Sequence, residues 1–592
     1  MWTLWIGNRS EDAWLMGHVI LQGKMKITLQ KAGGMMLHHG RPTRMLLLGV
    51  GVGAVTGLAA VGFRSLINFS TGMFFPHDPH QTLLIGRWWN YLAFLIPALG
   101  GLLVGGGLYL FFREDQQFSG VPEVMAAVAL KNGMLRLRTG FKGLLSAVTI
   151  GSGGSAGPEG PIVEIGSSLG SYLGQRLGLS GNELRLMAGC GAAAGIAGVF
   201  GAPLGGVFFA LEIILGEFAI NTFAPVVLSA VASSVVSRSF LGDQPAFQVA
   251  VTSLVSLYDI IPYLMLGIFS GLVSVLFISS MQSSQLFFAR LGLPNWLKPA
   301  TAGLMVGVMG LALPQVLGEG YHSVTAVLNG RILWWMALVL AAAKILATAL
   351  TLGSGAPGGS FAPAIFVGAM LGGAFGQMAE LLFPGLYGVN ASYALSGAAG
   401  LVAGALNAPL TAGLIIFETS GTYKVVLPAM IVVAVSAVIT KRLAGESVYT
   451  HALQKAGLPV SQLRTHSGIS GATCQNVMRR DIVTILPGMP LSEIVKTFGR
   501  TDQLLLPVID DAGRYLASIS WSQLRLFVDG NPDDGLIIAH DVMIRVPVVE
   551  ASDSLSLAMM QLIQQDMQEL PVLENGKLAG LIGSKEILKA EL

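Results

Sequence analysis

The chain has 592 residues, of which 53% are hydrophobic and only 11% carry a charge, and its formal net charge is +2. Soluble globular proteins carry about 25% charged residues, so this composition excludes a soluble protein for most of the length. The small net charge gives no reason to predict a nucleic-acid partner. The two cysteines, Cys190 and Cys474, lie in different parts of the chain, so no disulfide framework is predicted.

Long windows of the chain contain no charged residue, for example 88–112, 260–289 and 345–379. A membrane-spanning helix needs about 20 apolar residues, so these windows predict a helical protein that crosses a membrane several times. The longest windows must hold more than one segment, and some of those segments are too short to span. Lysines and arginines precede the first long window, so the amino-terminal end is predicted to stay in the cytoplasm.

Composition and charge divide the chain into five predicted parts. Residues 461–592 hold 11 basic and 16 acidic residues, which indicates a water-soluble tail after the apolar part. The predicted parts are a cytoplasmic lead at 1–43, a first membrane half at 44–240, a second membrane half with a final short helix at 258–456, a linker at 457–473 and a tail at 474–592.

A Gly-Ser-Gly passage occurs twice within the apolar part. The copy at 151–153 leads to Pro161, and the copy at 353–355 leads to Pro363, 202 positions later. Matching glycine and proline interruptions in two halves are typical of a duplicated membrane transporter, whose solute site lies where the broken helices meet. The sequence therefore predicts two related halves with a site at their junction.

A second pair of matching passages supports the duplication. Ala-Pro-Leu at 202–204, followed by Glu212, recurs as Ala-Pro-Leu at 408–410, followed by Glu418, with an offset of 206 positions. Both glutamates end apolar helical patterns. We interpret them as interfacial or structural residues rather than as parts of a solute site.

Three predicted helices in the apolar part begin with glycine and proline. They start at Ser119-Gly-Val-Pro122, with serine at the N-cap position, at Pro158-Glu-Gly-Pro161 and at Gly359-Ser-Phe-Ala-Pro363. The first N–H groups of a helix are unsatisfied and attract anions. Several converging helix starts would hold an anion without a buried lysine or arginine, which would bind it too tightly for rapid passage. These starts predict an anion pathway.

The two halves differ at one position within these helix starts. Glu159 in the first half corresponds to Phe361 in the second, so one carboxylate has no counterpart. We interpret Glu159 as the functional acid of the pathway. Glu123 and Glu164 also follow helix starts, where a carboxylate favours the positive end of the helix dipole.

The tail contains a repeat of its own. Leu-Pro-Val at 506–508 recurs at 570–572, which is a period of 64 residues. Each copy combines apolar runs with helical patterns, so each predicts a small α/β unit. The tail resembles a pair of cystathionine-β-synthase-type (CBS) modules, at 474–530 and 538–592.

Tandem CBS modules often bind an adenine nucleotide through a small residue and an acid in the last βα turn. The matching positions are Ser520 with Gln523 in the first copy and Gly583 with Glu586 in the second. Only the second copy keeps an acid. The resemblance therefore leaves two alternatives, a bound adenine nucleotide or a purely structural, dimerising tail.

Four ordered motifs in the apolar part carry a more specific resemblance. Ser119-Gly-Val-Pro122, Gly157-Pro-Glu-Gly-Pro161, Gly359-Ser-Phe-Ala-Pro363 and the late Tyr449 are similar, in order and spacing, to the signatures of the CLC family of chloride channels and chloride/proton exchangers. The similarity covers about residues 45–456. It implies an all-α polytopic membrane protein with two inverted-topology repeats, and a tandem CBS tail is common in that family.

The resemblance implies a role for each matching residue. Glu159 would be the gating glutamate, which occupies an anion site when ionised and admits chloride when protonated or displaced. The hydroxyls of Ser119 and Tyr449 would coordinate the central anion, and serine at position 119 resembles the chloride-preferring form of the motif. The other implied anion-binding positions are Gly120, Val121, Gly160, Ser360 and Phe361.

Two positions depart from the family pattern. Pro158 stands where the family usually has a basic residue, which removes a positive charge from the outer mouth. Ile213 stands where exchangers typically carry an internal glutamate that accepts protons. Isoleucine binds no proton, so passive, glutamate-gated chloride conduction is predicted ahead of chloride/proton exchange, although some exchangers function without this glutamate.

Several further interpretations stay open at this point. Lys142 either adds positive potential along the pathway or snorkels to the membrane surface. One alternative is a membrane-embedded enzyme with Glu159 as general acid or base, but the sequence offers it no nucleophile and no set of metal ligands. Another is a nucleotide sensor, in which the tail binds the nucleotide and the membrane part responds. The resemblance also implies a homodimer in the cytoplasmic membrane, among membrane lipids, with termini and CBS tail in the cytoplasm and chloride as the ligand. No metal and no other cofactor is predicted.

Overall fold

A computed structural model describes the protein at residues 41–75, 88–112, 119–179, 181–242, 247, 260–382, 390–455, 473–521, 524, 537–565, 567–574 and 576–589. Most of the predicted lead at 1–43 and of the predicted linker at 457–473 lies outside these residues.

Helices make up the described part of the first membrane half. In chain order they are α1 (Arg41–Phe74), α2 (Ile96–Phe111), α3 (Val121–Leu130), α4 (Leu137–Gly151), α5 (Glu159–Arg176), α6 (Asn182–Phe200), α7 (Pro203–Phe209) and α8 (Ile220–Leu241). A 3-10 helix at Trp88–Leu95 leads into α2, and a π-helical turn at Ala210–Leu215 extends α7.

The second membrane half repeats this series, so that each of its first eight helices corresponds to the helix eight places earlier. They are α9 (Ile260–Arg290), α10 (Lys298–Ala312), α11 (Tyr321–Leu328), α12 (Trp334–Gly353), α13 (Phe361–Leu382), α14 (Asn390–Leu406), α15 (Pro409–Ser420) and α16 (Val426–Leu443). A final short helix, α17 (Val448–Lys455), carries Tyr449 and has no counterpart among the described helices of the first half.

The two halves meet through equivalent helices, as α2 and α10 show. A Cβ on Gly101 of α2 would collide with the carbonyl oxygen of Pro299, and a Cβ on Gly303 of α10 would collide with that of Pro97. Residues 202 positions apart thus make the same contact in both directions, as a two-fold relation requires. The prediction of two inverted-topology repeats is confirmed.

Eight helices in the described part of the chain are long and apolar enough to cross a membrane. Helix α3 has 10 residues, well below the roughly 20 that a span needs. A short helix survives at membrane depth only where protein or a water-filled cavity surrounds it, and most side chains of α3 are buried. The prediction of a polytopic membrane protein with both spanning and shorter segments is confirmed.

The described part of the tail forms two small α/β units. The first copy in sequence contains α18 (Cys474–Val477), α19 (Leu491–Phe498), β1 (Leu505–Ile509) and β2 (Tyr515–Ser520), and its α18 packs in the core of the second copy. The second copy contains α20 (Ala539–Val542), β3 (Val549–Glu550), α21 (Leu555–Gln564), β4 (Glu569–Glu574), β5 (Lys577–Gly583) and α22 (Ser584–Lys589), and its α20 packs in the core of the first copy. Strands β1 and β2 are antiparallel, and β4 pairs in parallel with β3 and antiparallel with β5. This confirms the predicted α/β tail.

Glu569 of β4 ties the second unit of the tail to the first. Its carboxylate accepts hydrogen bonds from the amides of Leu504 at 2.9 Å and Leu505 at 3.1 Å. It also pairs with Arg479 at 2.9 Å, and the same guanidinium pairs with Asp502 at 2.8 Å. Burial raises the pKa of Glu569. Three donors therefore depend on one nearly buried acceptor.

Replacing Glu569 with alanine is expected to loosen the junction between the two units. The change leaves two backbone amides without their acceptor, and each unsatisfied buried group costs about 1–3 kcal/mol. Hydrogen exchange at Leu504 and Leu505, measured on the full-length protein, should accelerate about 5- to 150-fold for that range.

Asp502→Ala is the matched control, because Asp502 pairs with the same arginine but its side chain is 77% exposed. Exposed ion pairs contribute about 0–1 kcal/mol, so exchange at these two amides should stay close to that of the unmodified protein. Equal acceleration in both variants would contradict the role assigned to Glu569.

Candidate anion pathway

Glu159 is the first residue of α5, directly after Pro158, and its side chain is fully buried. One carboxylate oxygen, Oε1, accepts a hydrogen bond from the backbone N–H of Phe361, the first residue of α13. A carboxylate at this place is stabilised by the orphan N–H groups and by the positive end of the helix dipole. The acid of one half therefore occupies the helix start of the other half.

Two glycines make room for this carboxylate. Gly157 and Gly359 exchange backbone hydrogen bonds of 2.9 and 2.8 Å in an antiparallel bridge between the halves. A Cβ on Gly157 would collide with Oε2 of Glu159, and a Cβ on Gly359 would collide with Oε1. Any residue with a side chain at either position would thus compete with the Glu159 carboxylate for its place.

Two cavities flank Glu159. The tyrosine-side cavity, of about 530 Å³, is lined by residues that include Ser119, Lys142, Gly160, Ser360 and Tyr449. The Glu319-side cavity, of about 630 Å³, is lined by residues that include Arg64, Pro158, Phe200, Glu319 and Tyr321. Because Pro158 lines one cavity and Gly160 the other, the buried Glu159 lies between them.

Two hydroxyls in the tyrosine-side cavity are buried without a partner. By geometry neither Tyr449 Oη nor Ser360 Oγ has a hydrogen-bond partner within the described residues, although the two hydroxyls are close enough to act on each other. Tyr449 is close enough to Glu159 for the charge of the carboxylate to act on the phenol. Buried polar groups are almost always hydrogen-bonded, so two unpartnered hydroxyls in one cavity indicate a place for a polar or charged ligand.

The start of α3 differs from the sequence-based prediction. The N-cap residue is Gly120, with a φ of +74°, and Ser119 lies one position earlier without making a side-chain cap, so the prediction that serine caps this helix is wrong. A positive φ favours glycine because it has no Cβ. Ser119 lines the tyrosine-side cavity together with Val121, whose side chain is buried.

A carboxylate takes the donor group at the start of α3. The N–H of Gly120 donates to Oε2 of Glu164 at 2.7 Å, and the Ser119 hydroxyl lies 3.4 Å from the same oxygen. From the sequence, Glu164 is predicted to lie at the start of its own helix. In the structure it lies in the second turn of α5 and instead serves the start of α3.

Ile213 and Lys142 are both almost fully buried. Ile213 lies in the π-helical turn after α7 and is 3% exposed. Lys142 of α4 is 4% exposed, lines the tyrosine-side cavity, and its charge acts on Glu164. Of the two interpretations of this lysine, its position favours the one in which it adds positive potential to the pathway.

Comparison with known proteins identifies the family. Residues 100–441, more than half of the chain, match the family model described as voltage-gated chloride channel. The chain belongs to the CLC family. Residues 474–530 and 539–592 match the CBS domain model, so the prediction of a tandem CBS tail is confirmed.

Relatives of this CLC protein come from several bacteria. A ClcB-like chloride channel protein from Ralstonia nicotianae is 34% identical over 69% of this chain and 97% of its own length. The H⁺/Cl⁻ exchange transporter ClcA of Salmonella paratyphi B is 31% identical over 70% of this chain and 89% of its own length. The crystal structure of a slow cyanobacterial Cl⁻/H⁺ antiporter superposes with a TM-score of 0.64 at 25% identity, covering 71% of this chain and 98% of that one.

Two further glutamates of the CLC protein join its halves through a contact that was not predicted from the sequence. Glu418 at the end of α15 accepts hydrogen bonds from the amides of Leu204 and Gly205 at the start of α7, at 3.0 and 2.7 Å. Glu212, after α7, accepts reciprocal bonds from Leu410 and Thr411 at the start of α15, at 3.3 and 2.9 Å. The 206-residue offset between the two glutamates was the sequence feature from which this reciprocal contact could have been predicted.

A buried lysine near the Glu319-side cavity was also missed. Lys344 of α12 is fully buried, donates to the carbonyls of Val316 at 2.9 Å and Gly318 at 2.7 Å, and lies 5.1 Å from the ring centre of Phe366. These bonds hold the loop that carries Glu319 into the cavity. The signal was a single charge in an otherwise apolar helix, which is rare in membrane segments.

The CBS tail of the protein contacts the membrane part at the far end of α3. The Ser554 hydroxyl donates to the Leu130 carbonyl at 3.1 Å, and Met560 packs against the Leu130 side chain. Within the predicted nucleotide positions, Ser520 ends β2 and Gln523 lies outside the described residues. The amide of Gly583 donates to the Glu586 carboxylate at 3.1 Å. The nucleotide prediction stays a prediction.

Proposed function

We propose that this CLC protein carries chloride across the membrane through a pathway that Glu159 closes. The observation that carries the proposal is the place of the Glu159 carboxylate. It lies on the N–H of Phe361 at the start of α13, where a helix start attracts an anion, and it separates two cavities. The side chain thus stands where a permeating anion would stand.

Chloride would replace the carboxylate as follows. Protonation neutralises Glu159 and weakens its hold on the helix start, because the dipole and the orphan N–H groups favour a negative charge. The displaced side chain leaves the N–H of Phe361 to the anion. The hydroxyls of Ser360 and Tyr449, which line the same cavity, supply further donors beside it. In the described part of the chain, no lysine or arginine bonds the carboxylate whose place the anion would take, which supports rapid release.

Passive conduction is the first of two modes for this pathway. It is favoured by Ile213, which holds no proton where an internal acid would serve exchange. The second mode is chloride/proton exchange, and the relatives favour it, since the Salmonella protein is named as an exchange transporter and the cyanobacterial structure as an antiporter.

A reversal-potential measurement separates the two modes. The purified full-length protein is incorporated in planar bilayers or liposomes under a chloride gradient, and a pH gradient is then imposed. For passive conduction we expect the reversal potential to stay at the chloride equilibrium potential. A shift with the pH gradient would establish exchange, and absence of any chloride current or flux would contradict the proposed function itself.

We also propose that the protein acts as a homodimer in the cytoplasmic membrane, with the CBS tail in the cytoplasm. An apolar contact between the two copies is supported by α8 and α16. Their side chains Ile220, Phe223, Val235 and Leu427 are exposed in a single chain. In a membrane such side chains face lipid or a second copy. The molar mass of the detergent-solubilised protein would distinguish one copy from two.

A further inference from the structure

Glu164 is a second fully buried carboxylate on α5, five residues after Glu159, and the proposed function gives it no role. We propose that Glu164 is a proton-binding group of the anion site at Ser119, and that protonation of Glu164 and anion binding there favour each other. This inference rests on the proposed function, because it concerns the same pathway.

The hydrogen bonds of Glu164 show why the two events are linked. Its Oε2 accepts the N–H of Gly120 at 2.7 Å and lies 3.4 Å from the Ser119 hydroxyl. Its Oε1 is buried without a hydrogen-bond partner in the described part of the chain. Glu164 therefore contacts the two donors at the start of α3, the Gly120 N–H and the Ser119 hydroxyl. Its other oxygen, Oε1, can still accept a hydrogen bond.

An ionised Glu164 competes with an anion for these donors. It holds the Gly120 N–H and attracts the Ser119 hydroxyl proton, and its charge repels a second anion nearby. When a proton binds to Oε2, the charge is lost and the new O–H group donates a hydrogen bond to Ser119 Oγ, while Oε1 remains an acceptor. The serine hydroxyl proton is then free to turn toward the cavity, where an anion accepts it.

The surroundings of Glu164 contain few charges. The strongest act from Lys142 of α4 and from Glu123 of α3, one cationic and one anionic. The other elements packed on α5 place their ionisable groups elsewhere, since Arg64 of α1 lines the Glu319-side cavity and Arg185 of α6 lies beside Asn182.

The proton would reach Glu164 from the same side as the anion, by way of Ser119. Ser119 and Lys142 both line the tyrosine-side cavity of about 530 Å³. Water in that cavity is the source of the proton, and no other reactant is needed. The same cavity would thus deliver proton and anion to neighbouring positions, Glu164 and Ser119.

The test must remove Glu159 first, because its own protonation also changes chloride binding. In full-length Glu159→Gln protein in detergent, chloride affinity is measured by calorimetry at several pH values between about 5 and 8. We expect the affinity to rise as the pH falls, by at most about tenfold per pH unit for a single linked proton. The heat of chloride binding should also depend on the ionisation enthalpy of the buffer, because a proton is taken up with the chloride.

Adding Glu164→Gln should abolish both the pH dependence and the proton uptake. Glutamine keeps an oxygen for the Gly120 N–H, so the start of α3 retains its cap. Glu183→Gln is the control in the same background, since Glu183 is a first-turn carboxylate of α6 that lines neither cavity. It should leave the pH dependence unchanged.

The outcomes separate this inference from the proposed function. A pH-independent affinity in Glu159→Gln, or an undiminished pH dependence after Glu164→Gln, would overturn the linkage. Glu164 would then be only the structural cap of α3. Failure of every variant and of the unmodified protein to bind or carry chloride would instead contradict the proposed function.

Discussion

Chloride flux through the Glu159→Gln protein is expected to be independent of pH over the range in which the unmodified protein responds. Glutamine has nearly the shape of a protonated glutamate but never carries the negative charge that holds the side chain on the start of α13. The pathway should therefore stay in the state that the unmodified protein reaches only at low pH. Flux from chloride-loaded liposomes, followed at several pH values, measures this directly.

Glu183→Gln is a suitable control for this measurement too, because it removes the same charge from the first turn of α6, which lies outside both cavities. Its flux should keep the pH dependence of the unmodified protein. If Glu159→Gln kept that dependence as well, Glu159 would not be the gate. The Glu164 linkage concerns chloride affinity, so these experiments use saturating chloride.

The sequence was sufficient to predict where the two halves meet and which side chain stands there. Glycine and proline motifs at a fixed offset predict broken helices, and Glu159 has no counterpart in the second half. These signals are local, since each motif determines its own backbone. The positions of Gly157, Glu159 and Phe361 in one cluster follow from the pairing of two motifs 202 residues apart.

The remaining contacts join residues far apart in the sequence, and no local sequence pattern predicts them. Glu164 reaches Gly120 across 44 residues, and Glu418 reaches Gly205 across 213. The preference of carboxylates for helix starts identifies an acid in the first turn of its own helix. It does not identify an acid that accepts hydrogen bonds from the start of a different helix. The same limit explains the error at Ser119, since a left-handed Gly120 moved the cap position by one residue.

A common principle connects these contacts. Glu159, Glu212 and Glu418 each lie on the helix start of the opposite half. Glu212 and Glu418 form a reciprocal pair, because each accepts two backbone N–H groups from the helix start of the other half. The same contact therefore occurs twice, once on each side of the two-fold axis. Glu159 has no reciprocal partner because its equivalent is Phe361. The duplicated fold thus leaves the start of α13 to either a side chain or an anion.

Replacing Gly359 with alanine is expected to remove the pH dependence while Glu159 is still present. The three atoms nearest to a Cβ at position 359 all belong to the Glu159 side chain, so the methyl group would take the place of the carboxylate. The end of a glutamate side chain is flexible and moves at little cost, so the backbone should be preserved. The measurement is the pH dependence of chloride flux, expressed relative to the flux of the same variant at low pH.

Gly413→Ala controls for the glycine substitution, since a Cβ at Gly413 in α15 would meet no atom within 4 Å. It should leave the pH dependence intact. A double-mutant cycle with Glu159→Gln then tests the mechanism: if the alanine acts by displacing the carboxylate, it should have no further effect on the pH dependence once that carboxylate is gone. An unaltered pH response of Gly359→Ala would show that the Glu159 carboxylate does not need this place to close the pathway.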